Sequence, residues 1–442
     1  MRPRKELIKD DFTARLEGWV LARLRNARPD FTDLLVSLPG VYPVVLLETL
    51  RRLEAIGMLD AATATRYERE AGVCTRPSLT TCLLPLPHPL DFEWRFSKET
   101  SRALLEHAHD LMGANGECLL FGTPGVALEC LDVDRGGISF IGENNVVTRR
   151  LMRLREATGH TLDIRLCTNG LKADAVDVIV IDPPWYLDFV RPMLSAAAAS
   201  CRLGGYLLVS LPPEGARSNG AAERERTLRF VRRLGLSVEA TYPSALAYAT
   251  PFFEANALAV QGIRVPHDWR RGDLVLMRKT GIAARSFLVE SVRRERWVEV
   301  EIDRMRLFVR RGGSVDGETG RLHSIVAGDI LNAVSRRDLV RKRASVWTSG
   351  NRIFAADNGD AVIDAALSLS GGEKGFSEQP VLPISSPDRD AQDRLSYFFK
   401  RLADKESREE RALCQAAKLG KGPAWTLPSM TFSTAWPVMP SG

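Results

Sequence analysis

Five short apolar runs between residues 118 and 211 constrain the fold of this chain more than any other feature. In order they read CLLFG, ISFIG, DIRLC, VDVIVID and YLLVSL. They are nearly continuous and partly β-branched, which is typical of strands buried on both faces of a parallel sheet. Helical stretches such as VVTRRLMRLREATG and LDFVRPMLSAAAASCRLG separate them. The alternation predicts a doubly wound, Rossmann-like α/β fold, with DLVLMRK among its last strands and one antiparallel edge.

The chain is too long, at 442 residues, for one ordinary hydrophobic core, so two or three domains are expected. The stretch LPLPHPLDFEWRFS marks a boundary because its prolines exclude it from a helix interior. We predict four segments: a helical, winged-helix-like domain over residues 1–83, a Rossmann-like domain over 84–281, an Arg-rich, partly β accessory segment over 282–356, and a C-terminal helix and extended tail over 357–442.

The first segment contains DFTDLLVSLPGVYPVVLLETLRRLEAIGMLD, which predicts a short helix, a turn at Pro39-Gly40, a longer helix and an exit towards a wing. This unit is similar to a winged-helix module, which would bind DNA or a protein partner. A helical bundle that only supports the next domain is an open alternative. The longer helix starts with an apolar run from Pro43 to Leu47, which disfavours a role in reading the major groove.

The C-terminal half is less regular. Alternation in WVEVEIDRMRLFV predicts strands, and one helix is predicted from Asp388 to about Leu419. The closing stretch GPAWTLPSMTFSTAWPVMPSG is predicted to be an extended tail that docks through its Trp residues or stays disordered. This tail, like the N-terminal helical domain, is a candidate contact for a protein partner.

Charge and cysteine content limit the function classes. The formal net charge of +6 and a pI near 9.0 permit a polyanionic partner without requiring one. The seven cysteines form no C-x-x-C pair, so no metal site is expected. No apolar stretch has the length of a signal peptide or a membrane span. We therefore expect a cytoplasmic protein without a membrane partner.

The strongest chemical signal is VDVIVIDPPWYLDF, a buried strand that ends in Asp182, Pro183, Pro184 and Trp185. Ligands of α/β sheets bind at the carboxyl ends of strands. The prolines fix the backbone and lack N–H donors, so nearby carbonyls and the Asp182 carboxylate can accept hydrogen bonds from one amino group. Such acceptors would expose the nitrogen lone pair, and Trp185 could stack on a ring that carries the amine. A rigid proline turn is the alternative for this motif taken alone.

A second element lies about sixty residues upstream. ECLLFGTPGVALECL predicts a strand, a loop of Phe121, Gly122, Thr123, Pro124 and Gly125, and a short helix. The next strand, ISFIGENN, ends with Glu143 and Asn144. Glu143 lies about twenty residues after the loop, where a Rossmann-like fold places the acid that binds ribose hydroxyls. After the third strand, Asn169 is a candidate contact to the cofactor adenine, and an ordinary loop is the alternative.

These two elements resemble motifs of class I S-adenosylmethionine-dependent methyltransferases. The Asp182–Trp185 motif looks like the DPPW catalytic motif of amino-nitrogen methyltransferases, above all of the adenine-N6 enzymes. The Phe121–Gly125 loop resembles their first cofactor motif, although it departs from the common acidic-x-Gly-x-Gly-x-Gly form. In this chain the loop precedes DPPW, whereas the order is permuted in the messenger RNA adenine methyltransferases. The resemblance covers about residues 84 to 280 and implies S-adenosylmethionine as cofactor.

Two further groups are candidate substrate contacts. In ATPFFEANALAV, Phe252, Phe253 and Glu254 could line the substrate entrance, and burial in the core is the alternative. In the basic string from residue 336 to 343, we predict that Arg341, Lys342 and Arg343 contact nucleic-acid phosphates, with Trp347 and Asn351 nearby. A solvated Arg-rich face is the alternative for this string.

The resemblance implies methyl transfer to the exocyclic N6 amine of adenine in DNA or RNA. The unpermuted motif order also permits a protein lysine methyltransferase, because some members of the group with this order modify lysines or ribosomal RNA. The unusual FGTPG loop leaves a catalytically silent scaffold as a third hypothesis.

Overall fold

The computed structural model describes residues 4–73, 83–133, 136–167, 172–266, 268–281, 297–312, 321–370 and 389–419. The predicted contact Asn169 and the predicted tail after residue 419 lie outside these ranges. Among the described helices, none has the length and apolarity needed to cross a bilayer.

Four helices form the N-terminal unit: α1 (Arg4–Asn26), α2 (Phe31–Ser37), α3 (Pro43–Ala55) and α4 (Ala61–Ala71). Asp30 caps α2 by accepting a hydrogen bond from the Asp33 amide at 2.7 Å, and Pro43 starts α3. Gly40, at φ +73°, makes the predicted turn between these helices. Residues 4–73 contain no strand, and α4 follows where a wing strand would begin. The unit is helical, as predicted.

The central unit alternates strands and helices in the order that the apolar runs predict. Its strands are β1 (Cys118–Phe121), β2 (Ile138–Gly142), β3 (Asp163–Leu166), β4 (Val176–Ile181), β5 (Cys201–Leu211), β6 (Leu236–Ala247) and β7 (Arg271–Lys279). Its helices are α5 (Lys98–Met112), α6 (Pro124–Cys130), α7 (Val146–Thr158), α8 (Leu187–Ser200), α9 (Gly220–Arg233) and α10 (Phe252–Ala259).

The seven strands form one sheet in the order β3-β2-β1-β4-β5-β7-β6. Strands β1 to β5 are parallel, and β7 runs antiparallel to both β5 and β6. The strand order reverses between β1 and β4, and ligands of open α/β sheets bind in the crevice at such a point. The predicted Rossmann-like α/β fold is confirmed, but its antiparallel strand β7 lies between β5 and β6 and not at the edge of the sheet, where it was predicted.

Each face of this sheet has its own apolar core. Leu120 and Val180 belong to one cluster, whereas their neighbours Leu119 and Ile179 belong to the other. Successive side chains of a strand point to opposite faces, so both faces must be apolar. This double burial explains why the strands are nearly continuous apolar runs in the sequence.

The C-terminal unit is a second sheet packed against two helices. Its strands are β8 (Trp297–Ile302), β9 (Met305–Arg310), β10 (Leu322–Ser324), β11 (Val346–Thr348) and β12 (Ile353–Ala356), in the order β10-β12-β11-β9-β8. Helices α11 (Gly359–Leu369) and α12 (Arg389–Leu419) follow. Val309, Val362 and Phe399 share one apolar core, so the segment boundary predicted at residue 357 falls inside this unit.

The connector, defined as residues 84–97, joins the central and C-terminal units. Arg306 of β9 is fully buried, pairs with Asp91 at 2.5 Å and donates to the Leu86 carbonyl at 2.9 Å. His88 contacts the Trp347 carbonyl through Nε2 at 3.1 Å, and burial lowers the pKa of His88 to about 3. The C-terminal sheet therefore fixes the position of the connector.

Candidate active site

A cavity of about 1240 Å³ lies at the carboxyl ends of the parallel strands. The residues that follow β1, β2, β3 and β4 form its floor. Its other walls come from the start of α3, from connector residues 90–94 and from the loop of residues 332–337. The cavity is thus built by all three units of the chain.

Asp182 directly follows β4 and lines the cavity. The Tyr248 hydroxyl donates a hydrogen bond to Asp182 Oδ1 at 2.6 Å. Ser210 Oγ lies 2.5 Å from the Tyr248 hydroxyl oxygen. Asp182, Ser210 and Tyr248 lie close together because of the strand order. Ser210 is on β5, which is next to β4, and Tyr248 directly follows β6.

The environment of Asp182 favours the protonated acid. Burial raises the pKa of Asp182 to about 7, the hydrogen bond from Tyr248 and the nearby Ser210 hydroxyl act in the opposite direction, and the nearby Glu93 carboxylate raises the pKa further. A carboxyl group with this pKa can give up or take a proton near neutral pH.

The other residues of the motif surround Asp182. Pro183, Pro184 and Trp185 line the cavity, and the Trp185 ring stands perpendicular to Tyr248 with centroids 5.6 Å apart. Gly272 of β7 makes room for both rings, since a Cβ there would lie 3.0 Å from the Tyr248 ring and 3.2 Å from the Trp185 ring. The Pro184 carbonyl accepts the Tyr186 amide at 2.6 Å, which closes a tight turn into α8.

Arg270 occupies the same end of the cavity. Its guanidinium carbon lies 4.9 to 6.0 Å from the ring centroids of Tyr42, Trp94, Trp185 and Trp269. It pairs with the fully buried Glu254, which also accepts the Trp94 indole N–H at 3.0 Å. Burial alone would lower the pKa of Arg270, but Glu254 and the neighbouring tyrosines together raise it above the ordinary value.

The predicted substrate contacts Phe252, Phe253 and Glu254 therefore lie behind the cavity. All three are buried in α10, and none lines the cavity. Glu254 binds Arg270 and Trp94, both of which line the cavity. The Trp94 ring packs edge-on against Phe253, with ring centroids 5.2 Å apart. The helix is largely apolar, and this composition places it in the core rather than at an entrance.

The predicted cofactor residues divide into two groups. Those that line the cavity are Phe121, Gly122, Pro124, Glu143 and Asn144. Gly122 has φ +65°, which only glycine adopts readily, and its backbone reaches the cavity directly.

Thr123 and Gly125 instead face the protein interior. Thr123 is buried, and a Cβ at Gly125 would lie 3.4 Å from Ser101 Oγ of α5. Fewer backbone groups of this loop are therefore accessible to a ligand than in a loop in which several glycines face the cavity.

Glu143 and Asn144 follow β2 and are exposed towards the cavity. Asn145 caps α7 by accepting the Thr148 amide at 2.9 Å, which fixes the turn that carries them. Cys167 lines the cavity after β3, and burial, with a smaller contribution from Glu143, raises its pKa to about 11. Carboxylate and amide side chains are thus presented beside β2.

The predicted phosphate contacts also divide. Arg341 is buried, stacks on Trp347 at 4.6 Å and donates to the Pro89 carbonyl at 3.4 Å. Burial lowers its pKa to about 10. Lys342 and Arg343 are exposed, but neither lines the cavity.

Trp347 and Asn351 are buried as well, and the Trp347 indole donates to Asn351 Oδ1 at 3.0 Å. Arg341 and Trp347 therefore serve the interface with the connector and do not form an exposed aromatic platform.

The loop of residues 332–337 has no counterpart among the predicted site residues. The Arg336 amide donates to the Tyr186 hydroxyl at 3.2 Å, and the Arg336 guanidinium pairs with Asp188. Arg337 pairs with Glu223 at 3.2 Å. These contacts hold the loop against α8 and α9, next to the Asp182–Trp185 motif.

Within the described residues, no group of three His, Cys, Asp or Glu side chains is placed to hold a metal ion.

Comparisons with known proteins give low similarity. No protein-family model matches the chain, and no curated protein matches its sequence. Among solved structures, the chain is similar to the Thermus thermophilus branched-chain polyamine synthase in complex with N4-aminopropylspermidine and 5'-methylthioadenosine, with 14% identity, a TM-score of 0.46, and coverage of 62% of this chain and 90% of the other. A T. thermophilus 16S rRNA N2 methyltransferase in complex with AdoMet and guanosine gives 19% identity, a TM-score of 0.28, and coverage of 56% of both chains.

A sarcosine dimethylglycine methyltransferase from Galdieria sulphuraria, so described provisionally, gives 11% identity and a TM-score of 0.30, over 41% of this chain and 85% of the other. Because these similarities are low, the fold assignment rests on the sheet itself. Its strand order, with five parallel strands and an antiparallel strand β7 beside β5, gives the central unit a Rossmann-like fold.

Proposed function

We propose that this chain is an S-adenosylmethionine-dependent methyltransferase that acts on an amino nitrogen held by Asp182. The observation that carries the proposal is the Asp182 carboxyl group, which lines the cavity beyond β4 and is oriented by Tyr248. An ionised carboxylate accepts about four hydrogen bonds, so it can bind an amine while it remains bonded to Tyr248. The Asp-Pro-Pro-Trp motif supports the same chemistry through its resemblance to amino-nitrogen methyltransferases.

The residues beside β1 and β2 fit such a cofactor. Gly122 brings backbone to the cavity, and the exposed Glu143 carboxylate can accept hydrogen bonds from two ribose hydroxyls. The cavity is large enough for a nucleoside cofactor together with a second ligand. When bound, S-adenosylmethionine would supply an electrophilic methyl group, so that a carbon–nitrogen bond forms as the carbon–sulfur bond breaks.

The chain's own residues then position the amine and accept its proton. Asp182 accepts one N–H, and a carbonyl of the Pro183-Pro184 segment, which has no N–H donor of its own, accepts the other. These acceptors direct the nitrogen lone pair towards the cofactor side of the cavity. The nitrogen loses one proton as it gains the methyl group, and a carboxyl group with a pKa of about 7 can take that proton.

The N6 amine of adenine in DNA or RNA is our first candidate target. Its planar ring suits the aromatic side chains Trp94, Trp185 and Tyr248, which line the same end of the cavity as Asp182. Stacking on such rings contributes roughly 1–3 kcal/mol per base. A base in a nucleic acid would reach this cavity only from a single strand or after flipping out of a duplex.

The lysine side chain is a second candidate, favoured by the charges of the cavity. Among the described residues, its lining contains six carboxyl groups and three guanidinium groups. Each of those arginines pairs with a glutamate: Arg217 and Arg337 with Glu223, and Arg270 with Glu254. Among the carboxylates, Asp91, Glu93 and Asp188 pair with Arg306, Arg95 and Arg336, so a cationic amine would be attracted by the negative charge of the others, Asp182 included.

Methyl transfer from labelled S-adenosylmethionine to separate DNA, RNA and protein pools tests these candidates. N6-methyladenine formed by the wild-type chain but not by Asp182→Ala would support the first candidate. Methyl-lysine formed by the wild-type chain but not by Asp182→Ala would support the second. If the chain binds the cofactor yet labels none of the pools, the proposed activity is wrong and the silent scaffold is favoured.

A further inference from the structure

A continuous chain of hydrogen bonds joins Trp185 to Asp182 through two residues that the sequence motifs do not contain. The Trp185 indole Nε1 lies 3.4 Å from Ser210 Oγ, which lies 2.5 Å from the Tyr248 hydroxyl, and Tyr248 lies 2.6 Å from Asp182 Oδ1. The first and last members belong to the Asp182–Trp185 motif. Ser210 follows Trp185 by 25 residues, and Tyr248 follows Asp182 by 66 residues. The fold therefore brings two distant residues to the motif.

The chemistry of the four groups fixes the direction of this chain. An indole N–H can only donate, and an ionised carboxylate can only accept. Ser210 therefore accepts from Trp185 and donates to Tyr248, and Tyr248 donates to Asp182. Each hydroxyl uses its single proton, so the four groups form one directed relay when Asp182 is ionised.

The two intermediate residues are held rigidly. Ser210 and Tyr248 are each 1% exposed. The Tyr248 ring packs against Phe96 at 4.7 Å and against Trp185 at 5.6 Å, so its hydroxyl cannot turn to bulk water without disturbing the core. Gly272 leaves the space that this arrangement needs, with a hypothetical Cβ 3.3 Å from Ser210 Oγ.

We propose that Ser210 and Tyr248 are positioning residues that hold the Asp182 carboxylate and the Trp185 ring in one fixed geometry. The proposal rests on the proposed function, in which Asp182 binds the amine and Trp185 contacts the ring that carries it. Preorganised acceptors act most strongly on the transition state, so the relay acts on the rate of methyl transfer more than on substrate affinity.

The relay also controls the ionisation of Asp182. The groups that act on this carboxyl are the hydroxyls of Tyr248 and Ser210, which favour the ionised form, and Glu93 of the connector, which disfavours it. The positive charge of Arg270, which precedes β7, lowers the pKa of Tyr248, against the larger effect of burial, which raises it. Removing the Tyr248 hydroxyl removes a donor to the ionised form, so the pKa of Asp182 should rise.

The test compares wild type, Tyr248→Phe and the control Tyr206→Phe, whose tyrosine lies on β5 and does not line the cavity. We expect Tyr248→Phe to lower kcat by about 10- to 100-fold with KM changed less than about threefold, and to move the acidic limb of the pH–rate profile upwards by about one unit. Tyr206→Phe should leave both unchanged. An unaltered pH–rate profile in Tyr248→Phe, with folding confirmed by circular dichroism, would overturn the relay.

A second measurement does not depend on activity. Infrared difference spectra between wild type and Asp182→Asn follow the protonation of Asp182 directly. The same difference can be measured between Tyr248→Phe and the double variant Asp182→Asn/Tyr248→Phe. A higher pKa of Asp182 in the Tyr248→Phe pair supports the relay even if no substrate is methylated, whereas equal pKa values overturn it even if the enzyme is active. The failure of the relay and the failure of the proposed function are thus separate results.

The double variant Ser210→Ala/Tyr248→Phe tests whether the two residues act as one unit. In a single relay, removing one member disconnects the other, so the double variant should be no more than about twofold slower than Tyr248→Phe. Multiplicative effects of the two substitutions would show independent roles and contradict the relay.

Discussion

At the scale of single residues, Asp182 combines two conflicting requirements. Its position beyond β4 places a carboxyl group where an amine can be held, but burial there disfavours the charge that the proposed chemistry needs. Tyr248 reduces this conflict by donating to the carboxylate. Groups with strongly shifted pKa values in a cleft are common at functional sites, where stability is given up in favour of chemistry.

Asp182→Ala is expected to reduce methyl transfer by about 100- to 1000-fold, because it removes an acceptor that meets the amine in the transition state. The affinity for S-adenosylmethionine should change less than about twofold, since Asp182 lies beyond β4 and the cofactor residues follow β1 and β2. Single-turnover kinetics and calorimetry measure the two quantities. The control Asp163→Ala changes an exposed carboxylate on β3, and wild-type transfer by Asp182→Ala would refute the assigned role.

The raised pKa of Asp182 also predicts a pH-dependent stability. The folded protein holds this proton more tightly than the unfolded chain, so the group's contribution to stability is present at low pH and disappears as pH rises towards about 7. Asp182→Asn should therefore be more stable than wild type at about pH 8, by at most about 4 kcal/mol, and the gain should shrink towards about pH 4. Urea denaturation at several pH values measures the difference, and a gain that does not vary with pH would contradict the shift.

Glu143→Ala is expected to weaken cofactor affinity by about 10- to 100-fold, because a hydrogen bond to a charged acceptor contributes about 1.5–3 kcal/mol. Glu156→Ala is a matched control, since Glu156 is an exposed residue at the end of α7 that does not line the cavity. Calorimetry with S-adenosylmethionine measures both. Equal affinity in the two variants would remove Glu143 from the cofactor site.

At the scale of secondary structure, the sequence predicts best where burial is complete. The strands β1 to β5 and helices α7, α8 and α12 lie where the apolar runs and helical stretches place them, except that β5 begins at Cys201, within the stretch that was predicted to be helical. The environment of Arg341 was not predictable in this way, because its burial depends on Trp347 and on the connector carbonyl of Pro89, which is 252 residues away. The positions of Phe252 and Phe253 were not predictable for the same reason. A pair of aromatic residues has the same appearance in the sequence whether it is buried in the core or lines the entrance of a cavity.

Substitutions in the basic string around Arg341 should have different effects on stability at buried and exposed positions. Arg341→Ala is expected to destabilise the protein by about 1–3 kcal/mol, because it removes a buried cation–π contact and a hydrogen bond to the connector. Lys342→Ala/Arg343→Ala should change stability by less than about 0.5 kcal/mol, since both side chains are exposed. Urea denaturation measures these differences.

If the exposed pair binds phosphates, the double variant should also bind nucleic acid more weakly, with a salt dependence reduced by about one unit of slope for each phosphate that is no longer neutralised. Equal binding of wild type and the double variant across a salt titration would make the pair an ordinary solvated surface.

At the scale of the whole molecule, the flanking units complete the cavity. The DPPW motif and Glu143 mark its floor in the sequence, but nothing local marks Tyr42 of the N-terminal unit or the loop of residues 332–337 as walls. Likewise, Tyr248 and Asp182 meet only because β7 and β6 follow β5 in the sheet. Such long-range neighbours follow from tertiary packing, which a single sequence does not display.

Arg306 should be the most sensitive residue outside the cavity. Arg306→Met leaves the buried Asp91 carboxylate and the partly buried Glu299 carboxylate without this cation, and breaking a buried ion pair costs about 3–5 kcal/mol. Methyl transfer should fall with stability, because Asp91 belongs to the connector wall of the cavity. Arg408→Met is the control, since Arg408 is exposed on α12 of the same unit and donates to the Asp404 carbonyl of its own helix. Similar losses in both variants, measured by urea denaturation and transfer assays, would argue against a special role for Arg306.

The order of the cavity walls along the chain has a consequence for synthesis on the ribosome. Domains generally fold in order as they emerge, so the N-terminal helices and the central sheet can form first. The loop of residues 332–337 and the Arg306 side chain that fixes the connector emerge last. The binding cavity is therefore completed only after residue 337 has been synthesised, and a ligand can stabilise the protein from that point but not its earlier folding intermediates.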